Sequence, residues 1–160
     1  MMQEIIEELK RRGKLISTME SCTGGGVANA ITNVSGSSSV IREAVVTYAN
    51  EVKIKYGVDP KIIETYTVYS METANSMSKA ITEWTGSDYG IGVTGQINDP
   101  DPENIVDNSN KIYISVYDKE NDKFYNRSLT ALNAKRQLNK DYIIDTIIDI
   151  MKSEVFNYGK

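Results

Sequence analysis

Segments with helical periodicity alternate with short strand-like segments along this chain, and this alternation restricts its fold more than any other feature. Residues 3–12 place Ile5, Ile6 and Leu9 on one helical face, and Gly13 is suited to end that helix. The later segments are strand 14–19, helix 27–32, strand 44–49, a helix capped by Asn50, a helix opened by Asp59 and Pro60, a helix capped by Ser70, strand 88–94, a hairpin of strands 111–117 and 123–129, and a helix over 133–154 with Leu138, Tyr142, Ile147 and Met151 at helical spacing. This order predicts one α/β domain over residues 1–160, a three-layer α/β/α sandwich with a mixed sheet.

The chain contains no histidine, and this restricts the chemistry that any catalytic site could use. Ser-His-Asp and Cys-His arrangements are excluded, and so is zinc bound by histidine. The single cysteine, Cys22, cannot form a thiolate zinc cage or an internal disulfide. A catalytic base would therefore be lysine, aspartate, glutamate or tyrosine.

Net charge and hydropathy limit which binding partners and which cellular compartment we expect for the protein. The net charge is −4 and the basic residues are dispersed, which argues against nucleic acid as the main partner. No run approaches the ~20 apolar residues that span a bilayer, and residues 1–12 do not resemble a signal peptide. The carboxylates of the polar loop 95–110 lack the spacing of metal ligands. We expect a cytoplasmic protein that binds neither membrane, metal nor cofactor.

Three segments are candidates for chemistry, and each also has a purely structural explanation. The turn from Glu20 to Gly26 lies between a strand and a helix, so its N–H groups could hold a phosphate or an oxyanion, or its residues could simply cap the helix. It is not a Walker P-loop, because no Gly-Lys-Ser/Thr follows. The serines of Gly36-Ser37-Ser38 could be nucleophiles or solvated loop residues. Lys53 could be a base or an ordinary surface charge.

In combination, these segments resemble one known family. The strings MESCTGGGVANAIT, NVSGSSS and VVTYANEVKIKYGVDP, followed by VTG at 93–95, closely resemble the CinA C-terminal domain family, also known as the nicotinamide-nucleotide amidases. That family's pattern has an AESCTGG turn, a GSS loop, a VTYSNEAK segment and a TGIAGP turn. The match has no gap from Glu20 to about Val58 and continues more weakly to Gly95.

The resemblance implies hydrolysis of the carboxamide of nicotinamide mononucleotide to nicotinate mononucleotide and ammonia. It implies Ser38 as the nucleophile, Lys53 as the base and Tyr48 as a residue that orients the lysine or relays a proton. Lysine titrates near ~10.4 in water, so Lys53 would need to be desolvated or near another cation. The residues implied to contact substrate are Glu20, Ser21, Thr23, Gly24, Gly25, Thr94 and Gly95. Cys22, which lacks a histidine partner, is interpreted as structural.

The chain departs from the family pattern after Gly95. The glycine-rich turn becomes a segment that contains Asp99, Pro100, Asp101 and Pro102. By count, Ala131 stands where the family has an arginine associated with phosphate; Arg136 or Arg127 could substitute for it. Three hypotheses stay open: an amidase for the mononucleotide, an amidase for a related carboxamide without phosphate, and a non-catalytic paralogue that binds a ligand or partner.

The resemblance also carries expectations about assembly. The family tends to form dimers, and strand 123–129 offers an edge for pairing. The family domain often follows a second, N-terminal domain, whereas this chain starts at the amidase-like region, so we expect a stand-alone form.

Overall fold

The computed structural model describes residues 1–98 and 109–157. Its helices and strands alternate as the sequence predicts. In chain order they are α1 (Met2–Arg12), β1 (Ile16–Glu20), α2 (Gly26–Thr32), a one-turn 3₁₀ helix (Ser37–Ser39), β2 (Ile41–Val46), α3 (Asn50–Lys55), α4 (Pro60–Tyr66), α5 (Met71–Thr85), β3 (Tyr89–Gly95), β4 (Lys111–Asp118), β5 (Lys123–Thr130), α6 (Arg136–Ile150) and a short π-helix (Met151–Val155). No helix formed by these residues is long and apolar enough to cross a membrane.

The strands form one mixed sheet in the order β2-β1-β3-β4-β5. The pairs β1–β2 and β1–β3 are parallel, whereas β3–β4 and β4–β5 are antiparallel. The antiparallel pair β4–β5 is the hairpin that the sequence predicts. The predicted mixed α/β sheet is therefore confirmed.

Strand alternation divides the helices between the two faces of the sheet. Ile91 and Val93 of β3 belong to the large core that also contains residues of α1, α2 and α6. Gly90 and Gly92, which alternate with Ile91 and Val93 along the strand, face α5 instead: a Cβ on Gly92 would lie 2.5 Å from the carbonyl oxygen of Ala74. Because only glycine allows this approach, α5 packs directly against β3, and the fold has three layers.

Several helix ends follow from local signals in the sequence. Gly13 ends α1 in a left-handed conformation, with φ of 63°. The side chain of Asp59 accepts the backbone N–H of Lys61 at the start of α4, and the side chain of Ser70 accepts that of Thr73 at the start of α5. Gly13 thus fixes the end of α1, and the two side-chain caps fix where α4 and α5 begin, as the sequence predicts.

Other predicted boundaries were wrong. Strand β2 spans Ile41–Val46 rather than 44–49, because the chain turns toward α3 after the N–H of Thr47 makes a last bond to Glu20 of β1. Asn50 is the first residue of α3, and its N-cap is Ala49. Helix α6 begins at Arg136, and Leu138, predicted on its apolar face, is 53% exposed, whereas Ile147 and Met151 are buried.

The topology brings several segments to one edge of the sheet. The carboxyl ends of β1, β2 and β3 lie together, and β4 begins at the same edge because it is antiparallel to β3. Loops at the carboxyl ends of parallel strands are the usual place for a ligand in open α/β sheets. We refer to this region as the carboxyl edge.

Candidate functional site

The turn after β1 begins with a carboxylate that points into the protein. Glu20 is fully buried, and its two oxygens accept the backbone N–H groups of Val27 at 2.8 Å and Ala28 at 3.0 Å. The turn then passes through left-handed conformations at Gly24, with φ of 59°, and Gly25, with φ of 95°. The carboxylate thus caps α2 itself, so the structure does not present Glu20 to a substrate as the resemblance implies.

The backbone of the turn is also largely engaged within the protein. The N–H of Ser21 donates to the carbonyl of Val93 at 3.0 Å, that of Gly24 to the carbonyl of Ser21 at 2.9 Å, and that of Gly26 to the carbonyl of Thr23 at 3.0 Å. An anion that approaches this turn therefore cannot use these N–H groups without breaking existing hydrogen bonds. The prediction that the turn holds an anion through its backbone is not supported for these residues.

Lys53 is the most unusual side chain at the carboxyl edge. It is 1% exposed, although lysine is rarely buried without specific partners. Its Nζ donates to the carbonyl oxygens of Thr47 at 2.7 Å and Tyr48 at 3.1 Å, and it lies 3.2 Å from the Oγ of Ser21. Helix α3 carries the lysine back over the end of β2 toward the turn after β1. The structure therefore places Lys53 in contact with Ser21. The resemblance implied Ser21 only as a residue that contacts the substrate.

Ser38 lies at the other end of β2. It is exposed within the 3₁₀ helix Ser37–Ser39, which precedes the start of β2, whereas Lys53 contacts residues that follow the end of that strand. Five residue steps from Ile41 to Val46 span about 17 Å. The structure thus does not bring Ser38 and Lys53 together within one chain, and the implied pair is not formed there.

The remaining predicted residues are positioned as follows. The carbonyl of Tyr48 orients Lys53, while its side chain is 53% exposed. Thr94 is buried and donates its hydroxyl to the carbonyl of Val68 at 2.7 Å. A Cβ on Gly95 would lie 2.6 Å from the Cα of Ile112, so this glycine is required by the β3–β4 pairing. Most of the predicted residues thus lie at the carboxyl edge, Ser38 does not, and several of them have structural partners.

Unpaired polar atoms concentrate at the carboxyl edge. Within residues 1–98 and 109–157, four buried side-chain oxygens lack a hydrogen-bond partner: Thr23 Oγ1, Thr47 Oγ1, Gln96 Oε1 and Asn110 Oδ1. The first three follow β1, β2 and β3, and the fourth precedes β4. Buried polar groups are nearly always paired, so a group of unpaired ones at one edge favours a polar ligand there.

Cys22 follows Ser21 and is buried. Burial raises the pKa of its thiol to about 12, although the positive charges of Arg136 and Lys53 act in the opposite direction. A thiol with this pKa is almost entirely protonated at neutral pH and is a poor nucleophile. The interpretation of Cys22 as structural agrees with this environment.

We expect Cys22 to resist alkylation in the folded protein. Labelling with iodoacetamide should stay below a few per cent up to pH 9, because the thiol is both buried and protonated, and should become complete in denaturant. Mass spectrometry of the intact protein measures this. Rapid labelling of the native protein at pH 7 would show that Cys22 is accessible and ionised.

The two arginines considered as substitutes for the residue at Ala131 differ in their surroundings. Arg127 pairs with Asp149 at 2.6 Å and with Glu154, so its charge is used on the protein surface. Arg136 donates to the carbonyl of Ile97 at 2.6 Å and thus lies at the loop that leaves β3.

The predicted loop residues Asp99, Pro100, Asp101 and Pro102 lie outside the described residues. Within the described ranges, no group of three or more cysteine or acidic side chains is arranged to hold a metal ion.

The fold and this edge define a three-layer α/β protein with a buried lysine–serine contact beside the β1–α2 turn. The chain belongs to the CinA C-terminal domain family, whose sequence profile matches residues 1–155. This assignment agrees with the resemblance seen in the sequence motifs.

Relatives in sequence carry related names. A CinA-like protein of Chloroherpeton thalassium is 47% identical over 94 residues, which are 58% of this chain and 22% of that protein. A putative competence-damage inducible protein of Alkaliphilus metalliredigens is 37% identical over 118 residues, which are 72% of this chain and 28% of that protein. The chain thus spans about a quarter of the length of these two curated relatives.

Solved structures share the whole fold. The competence/damage inducible protein CihA from Agrobacterium tumefaciens superposes with a TM-score of 0.81 at 25% identity, covering 94% of this chain and 93% of that one. A CinA superfamily protein from Klebsiella pneumoniae 700603 superposes with a TM-score of 0.85 at 17% identity, covering 99% of both chains. The second likeness concerns the fold alone.

Proposed function

We propose that this chain hydrolyses the carboxamide of nicotinamide mononucleotide to nicotinate mononucleotide and ammonia, with Ser21 as the nucleophile and Lys53 as its base. The observation that carries the proposal is the 3.2 Å distance between Lys53 Nζ and Ser21 Oγ. It joins a half-buried hydroxyl to a buried amine at the carboxyl edge, in a chain that has no histidine. Serine–lysine pairs are an established alternative to the histidine-containing triad.

The surroundings of Lys53 suit the role of a base. A neutral amine has two N–H groups and one lone pair. In the structure the Lys53 Nζ donates to the carbonyls of Thr47 and Tyr48 and lies 3.2 Å from Ser21 Oγ, so a neutral amine there has acceptors for its N–H groups and lies within reach of the serine hydroxyl. The structure has the amine donating to the serine hydroxyl; in the proposed reaction a neutral amine accepts the hydroxyl proton instead, as general-base catalysis requires.

The reaction then follows the two-step course of covalent catalysis. Ser21 Oγ attacks the amide carbon while Lys53 takes the hydroxyl proton. The carbon–nitrogen bond breaks, Lys53 returns the proton to the leaving nitrogen, and ammonia departs. A water molecule attacks the acyl ester, Lys53 takes one of its protons, and that proton passes to Ser21 Oγ as nicotinate mononucleotide leaves.

The proposal is tested by measuring ammonia release from nicotinamide mononucleotide and from its dephosphorylated riboside. We expect the wild-type protein to hydrolyse the mononucleotide, and Lys53→Met to reduce kcat by about 10³-fold or more. Lys55→Met is the matched control: it removes an exposed lysine from the same short helix and should leave kcat unchanged within about twofold.

The other outcomes separate the alternatives. Hydrolysis of the riboside but not of the mononucleotide would favour an amidase for a carboxamide without phosphate. Binding of either compound without ammonia release would favour a non-catalytic member of the family. Full activity of Lys53→Met would remove the proposed mechanism.

A further inference from the structure

A groove separates α2 from α6 directly beyond the glycine turn. Its volume is about 460 Å³. Thr23 and the glycines Gly24–Gly26 line one side, and Gln137, Lys140 and Asp141 of α6 line the other. The groove therefore lies beside the same β1–α2 turn that carries Ser21 two residues before Thr23.

Lys140 supplies a positive charge to this groove. Its Nζ lies over the turn, where a Cβ on Gly24 would be 3.4 Å away. No ion pair involves Lys140 among the residues that the structure describes. The nearby carboxylate of Asp141 accepts a hydrogen bond from Gln137 Nε2 at 3.0 Å, within the same helix. The ammonium of Lys140 is therefore available to an anion in the groove.

Thr23 lines the same groove and carries a buried hydroxyl. The residue is 1% exposed, and its Oγ1 has no hydrogen-bond partner within residues 1–98 and 109–157. A buried hydroxyl without a partner costs free energy, which a ligand oxygen in the groove would recover. An ammonium and a hydroxyl form a combination that is complementary to a phosphate group.

We propose that this groove binds the phosphate of the nucleotide substrate, with Lys140 as the cation and Thr23 as the hydroxyl donor. This inference rests on the proposed function, because it requires the amide to lie at Ser21 while the phosphate extends past Thr23. It accounts for phosphate binding in a chain that has Ala131 at the position of the implied arginine and whose Arg127 is paired with two carboxylates. Arg136, one turn before Lys140 on α6, adds a positive charge near the carbonyl of Ile97, to which it donates a hydrogen bond.

The test compares Lys140→Met with Lys61→Met, which removes an exposed lysine from α4 near the opposite face of the sheet. For Lys140→Met we expect KM for nicotinamide mononucleotide to rise about ten- to hundredfold, because a charge-assisted hydrogen bond is lost. The KM for the riboside should change less than about twofold, and Lys61→Met should behave as wild type with both. Thr23→Val should raise KM for the mononucleotide by about three- to tenfold.

Calorimetric titration with nicotinamide mononucleotide separates failure of this inference from failure of the proposed function. If the wild-type protein releases no ammonia but binds the mononucleotide at least tenfold more tightly than Lys140→Met, the groove assignment holds and the amidase proposal fails. If Lys140→Met has wild-type affinity and KM for the mononucleotide, the groove assignment is wrong. An equal loss with the riboside also overturns it, because the effect would then not concern phosphate. Absence of mononucleotide binding to the wild-type protein overturns both.

Discussion

Ser21→Ala is expected to lower kcat for amide hydrolysis by about 10³-fold or more, whereas Ser38→Ala is expected to change it by less than about twofold. The reason is geometric. Ser21 Oγ lies 3.2 Å from Lys53 Nζ. Ser38 is exposed and lies just before the start of β2, at the end of the strand opposite to Lys53. Ammonia release under saturating substrate measures both variants side by side.

The two serine variants control for each other, since each removes one hydroxyl from the chain. Circular dichroism should show the wild-type fold for both. The opposite result, an inactive Ser38→Ala protein together with an active Ser21→Ala protein, would return the nucleophile to the serine that the family resemblance implies. It would also require a contact between Ser38 and Lys53 that the fold of a single chain does not form.

Glu20→Gln is expected to reduce the free energy of unfolding by about 2–4 kcal/mol. The buried carboxylate accepts two backbone N–H groups at the start of α2, and each hydrogen bond to a charged group contributes about 1.5–3 kcal/mol. Glutamine offers only one oxygen, and its NH₂ group would face the second N–H donor. Urea unfolding followed by circular dichroism measures the change.

The matched control for this variant is Glu51→Gln, which changes an exposed carboxylate in the first turn of α3. We expect its effect to stay within about 0.5 kcal/mol. A Glu20→Gln protein with the stability of the wild type would show that the carboxylate is not the cap of α2. Its charge would then be available for a substrate, as the resemblance implies.

Elements with strong local signals could be predicted from the sequence. The end of α1 depends on Gly13, the start of α4 on Asp59 and Pro60, and the start of α5 on Ser70. Each signal acts within a few residues, so it does not depend on the rest of the fold. The hairpin β4–β5 was predictable for the same reason, because a polar turn separates two strand-like segments.

Errors arose where the neighbours in space decide the outcome. Residues 47–49 have strand-like composition, but only the N–H of Thr47 still bonds to β1, and its carbonyl accepts a hydrogen bond from Lys53 Nζ instead of from a strand partner. Leu138 has helical spacing with the buried residues of α6, but it lies in the first turn and is exposed. Lys140 gave no signal in the sequence, because its importance depends on the packing of α6 beside the glycine turn.

The contact between Ser21 and Lys53 was within reach of sequence reasoning. Both residues follow strands that the alternating pattern makes parallel, and the carboxyl ends of adjacent parallel strands share one edge of the sheet. By the same rule, Ser38, which precedes β2, belongs at the other end. The motif resemblance identifies three segments without their positions on the strands, and the topology supplies those positions.

The account depends on Ser21 being the hydroxyl that attacks. The most direct measurement uses an analogue of nicotinamide mononucleotide in which a sulfonyl fluoride replaces the carboxamide, so that an attacking hydroxyl becomes stably modified. Trypsin releases Leu15–Arg42 as one peptide that contains both Ser21 and Ser38, and fragmentation in the mass spectrometer locates the modification. We predict modification of Ser21 that excess mononucleotide prevents. Modification of Ser38, or of any residue other than Ser21, contradicts the account.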